Sequence, residues 1–197
     1  ATPDHDIHHA FVNWARDRIA DLRARKLFDR MVTRSGIAHR WSVLPATDEG
    51  GSPVAQGGFY GGAWPTTSLR MAEYGHHAPV LALQATTALS EQADVAGVTH
   101  LVVASCTGFV APGVDQIIAG RLGLAPSVER LLIGYMGCYA AVAALRSARH
   151  IVRSDPAARV LVICVELSTL HLQDSDAVEP LLAMLQFADG AAAAIIS

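Results

Sequence analysis

The stretch Arg130-Leu-Leu-Ile-Gly-Tyr-Met-Gly-Cys138-Tyr-Ala-Ala-Val-Ala-Ala-Leu145 changes its residue pattern halfway along. Its first part is an apolar run of strand length. Its second part is rich in alanine, and apolar residues recur every three or four positions as far as Val152. This pattern predicts a strand, a tight turn at Gly137 and a helix that begins at Cys138. We expect the fold and the chemistry of the chain to centre on that cysteine.

The predicted position of Cys138 favours a reactive thiol. At the start of a helix, unpaired backbone N–H groups and the positive end of the helix dipole stabilise the thiolate over the thiol. Gly137 places no side chain in the turn, so a substrate could approach the sulfur closely. The alternative is a small buried hydrophobic residue, which free cysteine often is. The strand–glycine–cysteine–helix setting favours the first interpretation.

Composition indicates a globular chain with a large core. Of the 197 residues, 51% are hydrophobic and 17% are charged, which argues against disorder. Fifteen basic and 18 acidic side chains give a net charge of −3, so neither nucleic acid nor an anionic membrane surface is predicted as a partner. No apolar run reaches the ~20 residues of a membrane span, and no signal peptide is evident.

The cysteines and histidines predict no metal site and no disulfide framework. Cys106, Cys138 and Cys164 are odd in number and widely spaced, which favours a reducing cytoplasm. His76 and His77 are adjacent, so they would face different sides of a helix and make a poor metal pair. The sequence therefore gives no sign of a metal or an organic cofactor.

Strands and helices alternate along much of the chain. Apolar runs predict strands at residues 98–105, 159–166 and 191–196, besides the strand that begins at Arg130, and they predict helices at residues 114–122 and 177–187, besides the helix that begins at Cys138. Towards the N-terminus we expect one or two helices over residues 4–35, a strand over 37–44, an irregular segment over 45–65 and a long helix over 66–92, broken near Gly75 or Pro79. Apolar strands alternating with helices predict an α/β fold, with a mostly parallel sheet and helices on both faces.

Polar residues follow the predicted strands where ligands are expected. In open parallel sheets, ligands bind at the carboxyl ends of the strands. Three predicted loops leave such ends, and they carry Cys106, Cys138 and a polar set that follows residue 166. That set consists of Ser168, Thr169 and His171. All of these side chains are expected on one rim, whereas Cys164 lies within a strand and is expected in the core.

Five motifs follow one another in a fixed order. They are Cys106-Thr-Gly-Phe-Val-Ala-Pro-Gly-Val-Asp115, Gly120-Arg-Leu-Gly-Leu124, Gly137-Cys138-Tyr-Ala, Ala158-Arg-Val-Leu-Val-Ile-Cys-Val-Glu166 and Phe187-Ala-Asp-Gly-Ala-Ala-Ala. Their order and spacing resemble the chalcone synthase family, the type III polyketide synthases of the thiolase-like superfamily. Residues 67–74 and the N-terminal helices resemble bacterial members more loosely. The resemblance implies the N-terminal half of a thiolase-like fold over residues 1–197, with a helical segment at residues 1–36.

The resemblance also implies roles for individual residues. Cys138 is the nucleophile that carries the acyl chain as a thioester. Four residues match positions that line the substrate cavity, namely Cys106, Thr107, Ser168 and His171. Phe187 matches a gatekeeping residue between the coenzyme A tunnel and the cavity. Arg30 and Arg34 fall where the family places basic residues that hold coenzyme A phosphates, whereas Leu27 departs from the usual lysine. The solvated face of a helix is an equal alternative for both arginines.

The chain resembles only the first half of the family's fold. The family's catalytic histidine and asparagine come from the second half, and here Asn13, the only asparagine, lies far from any matching motif. The helix after Cys138 is predicted to be apolar nearly all round and to need covering on two sides. A lone first half should therefore expose an apolar patch that drives association.

Three functions fit the sequence. The first is an acyltransferase of the type III polyketide synthase kind, a cytoplasmic homodimer whose substrates are acyl-CoA and malonyl-CoA. The second is a ketoacyl synthase III-like enzyme that performs one condensation with an acyl carrier protein. The third is a non-catalytic half-domain that pairs with a separate C-terminal half. No cofactor other than the coenzyme A thioester substrates is expected.

Overall fold

A computed structural model describes residues 1–45 and 52–197. These residues form two compact units. The first unit comprises Ala1, Met71–Glu166 and Gly190–Ser197, and the second comprises Thr2–Arg70 and Leu167–Asp189. The irregular segment predicted over residues 45–65 lies partly outside the described residues, which omit 46–51.

Six α-helices and six strands are present in the described residues. The helices are α1 (His8–Arg18), α2 (Leu22–Ser35), α3 (Thr67–Ser90), α4 (Val114–Arg121), α5 (Ala140–Ser154) and α6 (Val178–Met184). The strands are β1 (His5–Asp6), β2 (Trp41–Ser42), β3 (His100–Ala104), β4 (Glu129–Ile133), β5 (Val160–Leu167) and β6 (Asp189–Ile196). Short 3₁₀ turns lie at Gly137–Tyr139 and Ser168–His171. None of the described helices is long and apolar enough to cross a membrane.

The first unit contains a four-stranded sheet in the order β4-β3-β5-β6. Strand β3 pairs in parallel with both β4 and β5, so that Ala104 lies opposite Ile133 and Cys164. The parallel strands therefore end at the same edge of the sheet, and the predicted α/β architecture is confirmed.

Helix α5 packs on this sheet through a stripe of alanines. Ala140, Ala144 and Ala148 are four residues apart and form one buried cluster with residues of β3 and β5. The strand residues in that cluster are Val102, Ala104, Val160 and Val162. Successive strand side chains point to opposite faces, and the intervening Leu101, Val103, Leu161 and Ile163 are also fully buried. The two central strands, β3 and β5, are therefore covered on both faces, as their continuous apolar runs predict, whereas β4 at the sheet edge is largely exposed.

The prediction that α5 is apolar nearly all round is wrong. The side opposite the alanine stripe carries exposed Val142 and Leu145, but it also carries three exposed arginines. These are Arg146, Arg149 and Arg153, which recur at helical spacing and so share that side. The exposed side of α5 is therefore mixed rather than apolar.

The second unit is mainly helical, with α1 and α6 both packed on α2. Asp21 caps the start of α2, where its carboxylate accepts a hydrogen bond from the Ala24 N–H at 2.7 Å. The helix ends at Gly36, whose φ of 68° is the left-handed conformation common at helix ends. Residues 4–35 thus contain the two expected helices, except that His5 and Asp6 form β1.

The strand predicted over residues 37–44 is reduced to β2, which pairs antiparallel with β1. Arg40 interrupts the expected run because its N–H donates to the Asp6 carboxylate at 3.0 Å and its side chain is buried.

The predicted break in α3 is also absent. The helix continues through Pro79, which is buried, as are Ala78, Leu81 and Ala82, although proline removes one backbone hydrogen bond from the helix.

The C-terminal connection differs from the prediction in two respects. Residues 167–176 are not a simple polar loop, because the 3₁₀ turn at Ser168–His171 buries Thr169 and Leu170. Helix α6 ends at Met184, three residues earlier than predicted. Phe187 therefore lies in the connection between α6 and β6 rather than in a helix.

Candidate active site

Cys138 lies in the 3₁₀ turn directly before α5, and its side chain is exposed. The chain reaches this turn from β4 through two residues with left-handed backbone conformations, Tyr135 (φ 59°) and Gly137 (φ 60°). Such a conformation is strained for tyrosine and easy for glycine. The strand–turn–helix predicted from the sequence is therefore present. A sharp, partly strained turn holds the thiol at the surface of the unit.

The need for glycine at position 137 comes mainly from the backbone. A Cβ atom added to Gly137 would meet no atom within 4 Å, so the described residues leave room for a side chain there. The positive φ, rather than a close neighbour, disfavours every other residue. Closer access for a substrate, which the sequence suggested, stays a prediction.

Large apolar residues flank Cys138 in the sequence. Tyr135 is 82% exposed, and Met136 and Tyr139 are each about half exposed. The Phe109 ring lies 6.1 Å from the Tyr135 ring. Such a group of exposed large apolar side chains is typical of a surface that another segment or subunit covers.

Cys106 lies next to the Cys138 turn. Its Sγ is 3.6 Å from the carbonyl oxygen of Gly137, to which the thiol can donate. This proximity follows from the parallel sheet, since Cys106 follows β3 and Cys138 follows β4. The structure thus brings together Cys106 and the Gly137–Cys138 turn, at the edge where ligands of parallel sheets bind.

Glu166 holds the Cys106–Thr107 turn, and the sequence alone did not assign it a role. Its carboxylate accepts the Cys106 N–H at 2.9 and 3.0 Å and the Thr107 hydroxyl at 2.7 Å. Hydrogen bonds to a charged acceptor are among the stronger ones in proteins. The only sequence feature that could have indicated this role is a carboxylate at the end of the apolar run of β5.

Glu166 also affects the cysteine within β5. Burial, and secondarily the negative charge of Glu166, raise the pKa of the Cys164 thiol. Cys164 packs against the buried cluster under α5. The interpretation of Cys164 as a core residue agrees with this environment.

Tyr74 supports the same turn from α3. Its hydroxyl donates to Ser105 Oγ at 2.6 Å, and burial raises the pKa of Tyr74 to about 12. A Cβ on Gly108 would lie 2.0 Å from the Tyr74 ring. Only glycine fits at position 108, so the turn that carries Cys106 and Thr107 is fixed by packing as well as by Glu166.

In the second unit, Phe187 lies between two buried charged side chains. The ring of Phe187 is 47% exposed, whereas Arg40 and Asp189 are 2% and 4% exposed. Arg40 Nε donates to the Phe187 carbonyl at 2.7 Å, and Nη2 donates to the Met184 carbonyl at 2.9 Å. The ring is therefore accessible, while the backbone that carries it is firmly held.

Asp189 is satisfied entirely by neighbours from distant segments. It accepts the N–H groups of Thr169 and Val43, each at 2.8 Å, and the Thr169 hydroxyl at 2.6 Å. The Thr169 hydroxyl also lies 2.7 Å from Ser42 Oγ. Burial raises the pKa of Asp189, although these hydrogen bonds and the charge of Arg40 act in the opposite direction.

Ser168 and His171 are half-buried, whereas Thr169, between them, is fully buried. Thr169 therefore belongs to the interior network, and its expected place on the ligand-binding rim is wrong. Arg70 donates to the carbonyls of Leu170 and Leu172, on either side of His171. The backbone that carries His171 is thus fixed from both sides.

Arg30 and Arg34 are exposed on α2, with no hydrogen-bond partner in the part of the chain that the structure describes. Arg34 lines a cavity of about 310 Å³ between α2 and the end of α6, and Arg30 does not. The other lining residues are His8, Met31, Val32, Ser35, Ile37, Leu182, Leu185 and Gln186. The cavity is thus mostly apolar, with one cation at its wall.

Two further predictions concern metals and asparagine. In residues 1–45 and 52–197, no group of three His, Cys, Asp or Glu side chains is arranged to hold a metal ion. Asn13 lies in α1 of the second unit, where its side-chain oxygen accepts a hydrogen bond from Arg16 at 3.4 Å.

A model of the N-terminal domain of chalcone and stilbene synthases matches residues 3–197. The chain belongs to the chalcone and stilbene synthase family. The resemblance seen in the sequence motifs is thereby confirmed.

Relatives of known name and structure agree. An alpha-pyrone synthesis polyketide synthase-like protein of Mycobacterium tuberculosis is 44% identical over 96 residues, which are 49% of this chain and 24% of that protein. The C-terminal type III polyketide synthase domain of Steely1 from Dictyostelium superposes with a TM-score of 0.83 at 27% identity, over 99% of this chain and 53% of that one.

A bacterial type III polyketide synthase, the 1,3,6,8-tetrahydroxynaphthalene synthase of Streptomyces coelicolor, has a TM-score of 0.79 at 25% identity. The match covers 100% of this chain and 54% of the synthase. The fold is therefore the thiolase-like α/β fold of type III polyketide synthases. The chain spans about half the length of these solved structures.

Proposed function

We propose that the chain is the N-terminal part of a type III polyketide synthase that loads an acyl-CoA starter on Cys138 and extends it with malonyl-CoA. The exposed thiol in the turn before α5, within a chain of this family, is the observation that carries the proposal. An exposed thiol can be reached by an acyl-CoA, and its thiolate is the attacking species in such a reaction.

The proposed reaction has two bond-forming steps. The Cys138 thiolate attacks the carbonyl carbon of the acyl-CoA, an S–C bond forms, and coenzyme A leaves as its thiol after taking up a proton. Malonyl-CoA then loses CO₂, and its enolate carbon attacks the Cys138 thioester. A C–C bond forms and the cysteine leaves as a thiolate. Donors for the oxyanion and the enolate are expected from a C-terminal half that supplies histidine and asparagine.

The cavity residues follow from the family relationship. Cys106, Thr107, Ser168 and His171 are proposed to line the cavity, and Phe187 to stand at its entrance. The fixed backbones of the Cys106–Thr107 turn and of His171 support these roles, because a cavity selects substrates only if its walls are rigid. His171 is bulky and should restrict the starter or the chain length.

Arg30 and Arg34 are proposed to hold coenzyme A phosphates. Arg34 beside a mostly apolar cavity offers a cation for the phosphate and an apolar wall for the pantetheine arm. Arg34→Gln should raise KM for acyl-CoA by roughly tenfold and leave kcat nearly unchanged, because it removes uniform binding. Arg23→Gln, on the same helix and also exposed, is the matched control and should change neither constant. Equal effects of both substitutions would refute the phosphate role.

Association with a second copy and with a C-terminal half is also proposed. The first unit leaves large apolar side chains exposed, among them Phe109, Leu131, Tyr135, Val142 and Leu145. Such side chains are normally buried between subunits or domains. A cytoplasmic location is proposed because all three thiols are unpaired.

The direct test uses the full-length protein that the reading frame encodes. It is incubated with malonyl-CoA and a panel of acyl-CoA starters. Mass spectrometry should detect products extended by two-carbon units. Cys138→Ala should lower their rate by roughly 10³-fold or more, whereas Cys164→Ala, in the core, should leave most of the rate. Unchanged products from Cys138→Ala would rule out the proposal. Turnover only with carrier-bound malonate would identify the single condensation of a ketoacyl synthase III-like enzyme instead.

A further inference from the structure

Arg40 is the largest of the fully buried side chains, with 2% of its surface exposed. The loss of solvent lowers its pKa to about 10, against the opposing charges of Asp189 and Asp6. The guanidinium therefore stays charged at neutral pH while it lies in the interior. A buried charge is costly unless hydrogen bonds offset the loss of water, so its partners should indicate its role.

Those partners are backbone carbonyls beside Phe187. Nε and Nη2 both donate to the Phe187 carbonyl, and Nη2 also donates to the Met184 carbonyl. In the described residues Arg40 forms no ion pair within 4 Å, and its Nη1 has no hydrogen-bond partner. The hydrogen-bond donors of the guanidinium are thus directed at one short piece of backbone, 144 to 147 residues away in the sequence, while its Cζ lies 4.8 Å from the centroid of the Phe11 ring.

The two carbonyls mark the exit from α6. Met184 is the last residue of the helix, where carbonyls lack intrahelical partners, and a cation there is favoured by the helix dipole. Phe187 lies three residues further, and Asp189 is fixed by Thr169 and Val43. Arg40 and Asp189 therefore anchor the backbone on both sides of the phenylalanine.

Nearly half of Phe187 is exposed, so packing covers only part of its ring. Its direction must therefore depend on the backbone that carries it. The planar fork of a guanidinium fixes two carbonyls in one orientation, which the point charge of a lysine cannot do. Loss of the fork should leave the residue in place and widen the range of ring positions.

We propose that Arg40 is a positioning residue for Phe187, and that it sets the passage of acyl-CoA substrates through the orientation of that ring. The inference rests on the proposed function, in which Phe187 stands at the entrance of the cavity. Arg40 touches no substrate in this scheme. Its effect on catalysis should exist only when the Phe187 ring is present.

A double-mutant cycle on kcat/KM tests whether the effect of Arg40 depends on the Phe187 ring. It uses the full-length protein that the reading frame encodes. Arg40→Lys, Phe187→Ala and the double variant are compared for a short and a long acyl-CoA starter. Arg40→Lys should lower or raise the long-to-short ratio of kcat/KM by roughly fivefold or more, within the range of couplings between contacting residues. In the Phe187→Ala background the same substitution should change that ratio by less than about twofold.

Arg25→Lys is the matched control. The Arg25 guanidinium also donates through Nε and Nη2 to one carbonyl, that of Ile19, and it lies in the same unit. Arg25→Lys removes the same kind of guanidinium–carbonyl hydrogen bonds at a site that does not involve Phe187. It should therefore leave the long-to-short ratio of kcat/KM unchanged. An effect of Arg40→Lys that persists in full without the ring, or that Arg25→Lys reproduces, would overturn the inference.

The outcomes separate this inference from the proposed function. A ratio that responds to Phe187→Ala but not to Arg40→Lys contradicts the positioning role and leaves the gate intact. If Phe187→Ala leaves the long-to-short ratio of kcat/KM unchanged, the role of Phe187 at the cavity entrance is contradicted, and with it the role of Arg40. If Arg40→Lys does not accumulate as folded protein, Arg40→Gln replaces it, because its amide keeps two N–H donors.

Amide hydrogen exchange supplies a readout that needs no turnover. Arg40→Lys should accelerate exchange in peptides that span residues 184–190 by at least about threefold and leave the peptides of α5 unchanged, as expected of a local opening. Arg25→Lys should not accelerate exchange in residues 184–190. Uniform acceleration throughout the chain would show a merely structural role and overturn the inference.

Discussion

The turn that carries Cys138 and the connection that carries Phe187 are held in different ways. Cys138 is placed by local backbone geometry, that is, by the positive φ of Tyr135 and Gly137 and by the helix that follows. Phe187 is placed by Arg40 and Asp189, buried charges whose partners come from distant segments. Both side chains are exposed, so in neither case does packing of the side chain itself decide its position.

This difference has a physical consequence. In a turn fixed by its own dihedral angles, a single substitution lowers the free energy of unfolding only a little, because it changes the conformational energy of one or two residues. In a connection fixed by buried hydrogen-bonded charges, a single substitution lowers the free energy of unfolding much more, because removing one partner leaves several polar groups unpaired. The two regions should therefore respond very differently to single substitutions.

The largest effect is expected at Asp189. Asp189→Ala leaves the two N–H groups of Thr169 and Val43 and the Thr169 hydroxyl without their acceptor. We expect the free energy of unfolding to fall by about 3 kcal/mol or more, measured by urea denaturation. Asp17→Ala, at an exposed position of α1, should change it by less than about 0.5 kcal/mol. Similar values for the two variants would show that the buried network does not support this region.

A smaller effect is expected at Gly137. Gly137→Ala forces a side chain into the left-handed conformation and should lower the free energy of unfolding by about 1 to 2 kcal/mol. Gly120→Ala is the control, since Gly120 lies inside α4 with open space around it. That substitution should be neutral or stabilising. If both alanines behave alike, backbone strain does not hold the Cys138 turn.

The smallest effect is expected at Asp6, and it depends on pH. Burial alone would raise the pKa of Asp6, but hydrogen bonds from the N–H groups of Arg40 and His8 and from the His39 ring outweigh it and lower the pKa from 3.8 to about 2. A lowered pKa in the folded state means that the carboxylate stabilises the fold above about pH 4 and that this contribution is lost as the pH falls towards 2.

Asp6→Asn should therefore lower the free energy of unfolding by less than about 1 kcal/mol near neutral pH, since Asp6 is exposed and solvent screens its interactions. The difference from the unsubstituted protein should be present at pH 5 and shrink below about pH 4. Denaturation midpoints measured across this range check the sign. A difference that grows as the pH falls would contradict it.

Much of the fold could be predicted from the sequence because it depends on local patterns. The apolar runs of β3 and β5 and the spaced alanines of α5 report burial directly, and β3 and β5 begin and end within two residues of the predicted strands. The strand predicted over 37–44 failed because its pattern contains Arg40. No local rule indicates that this arginine, unlike its neighbours, is buried.

The candidate site divides in the same way. Cys138 was found from the residues beside it, and Cys106 from the position of β3 next to β4. Glu166, Arg40 and Asp189 were missed, because the atoms they hold lie 20 to 147 residues away in the sequence. Their only local signal was a charge next to an apolar run, which is equally typical of a surface residue.

The most direct test of the central claim, that Cys138 is the nucleophile, is its rate of alkylation by iodoacetamide as a function of pH, compared with Cys106 and Cys164 by peptide mass mapping. Cys138 is exposed at a helix start, whereas the other two thiols are half-buried. We predict that Cys138 reacts first at every pH from 6 to 8, that Cys164 reacts last, and that a stoichiometric acyl-CoA starter protects Cys138 alone. Faster reaction at Cys106 or Cys164, with Cys138 unprotected by the starter, would contradict its assignment as the acyl-carrying residue.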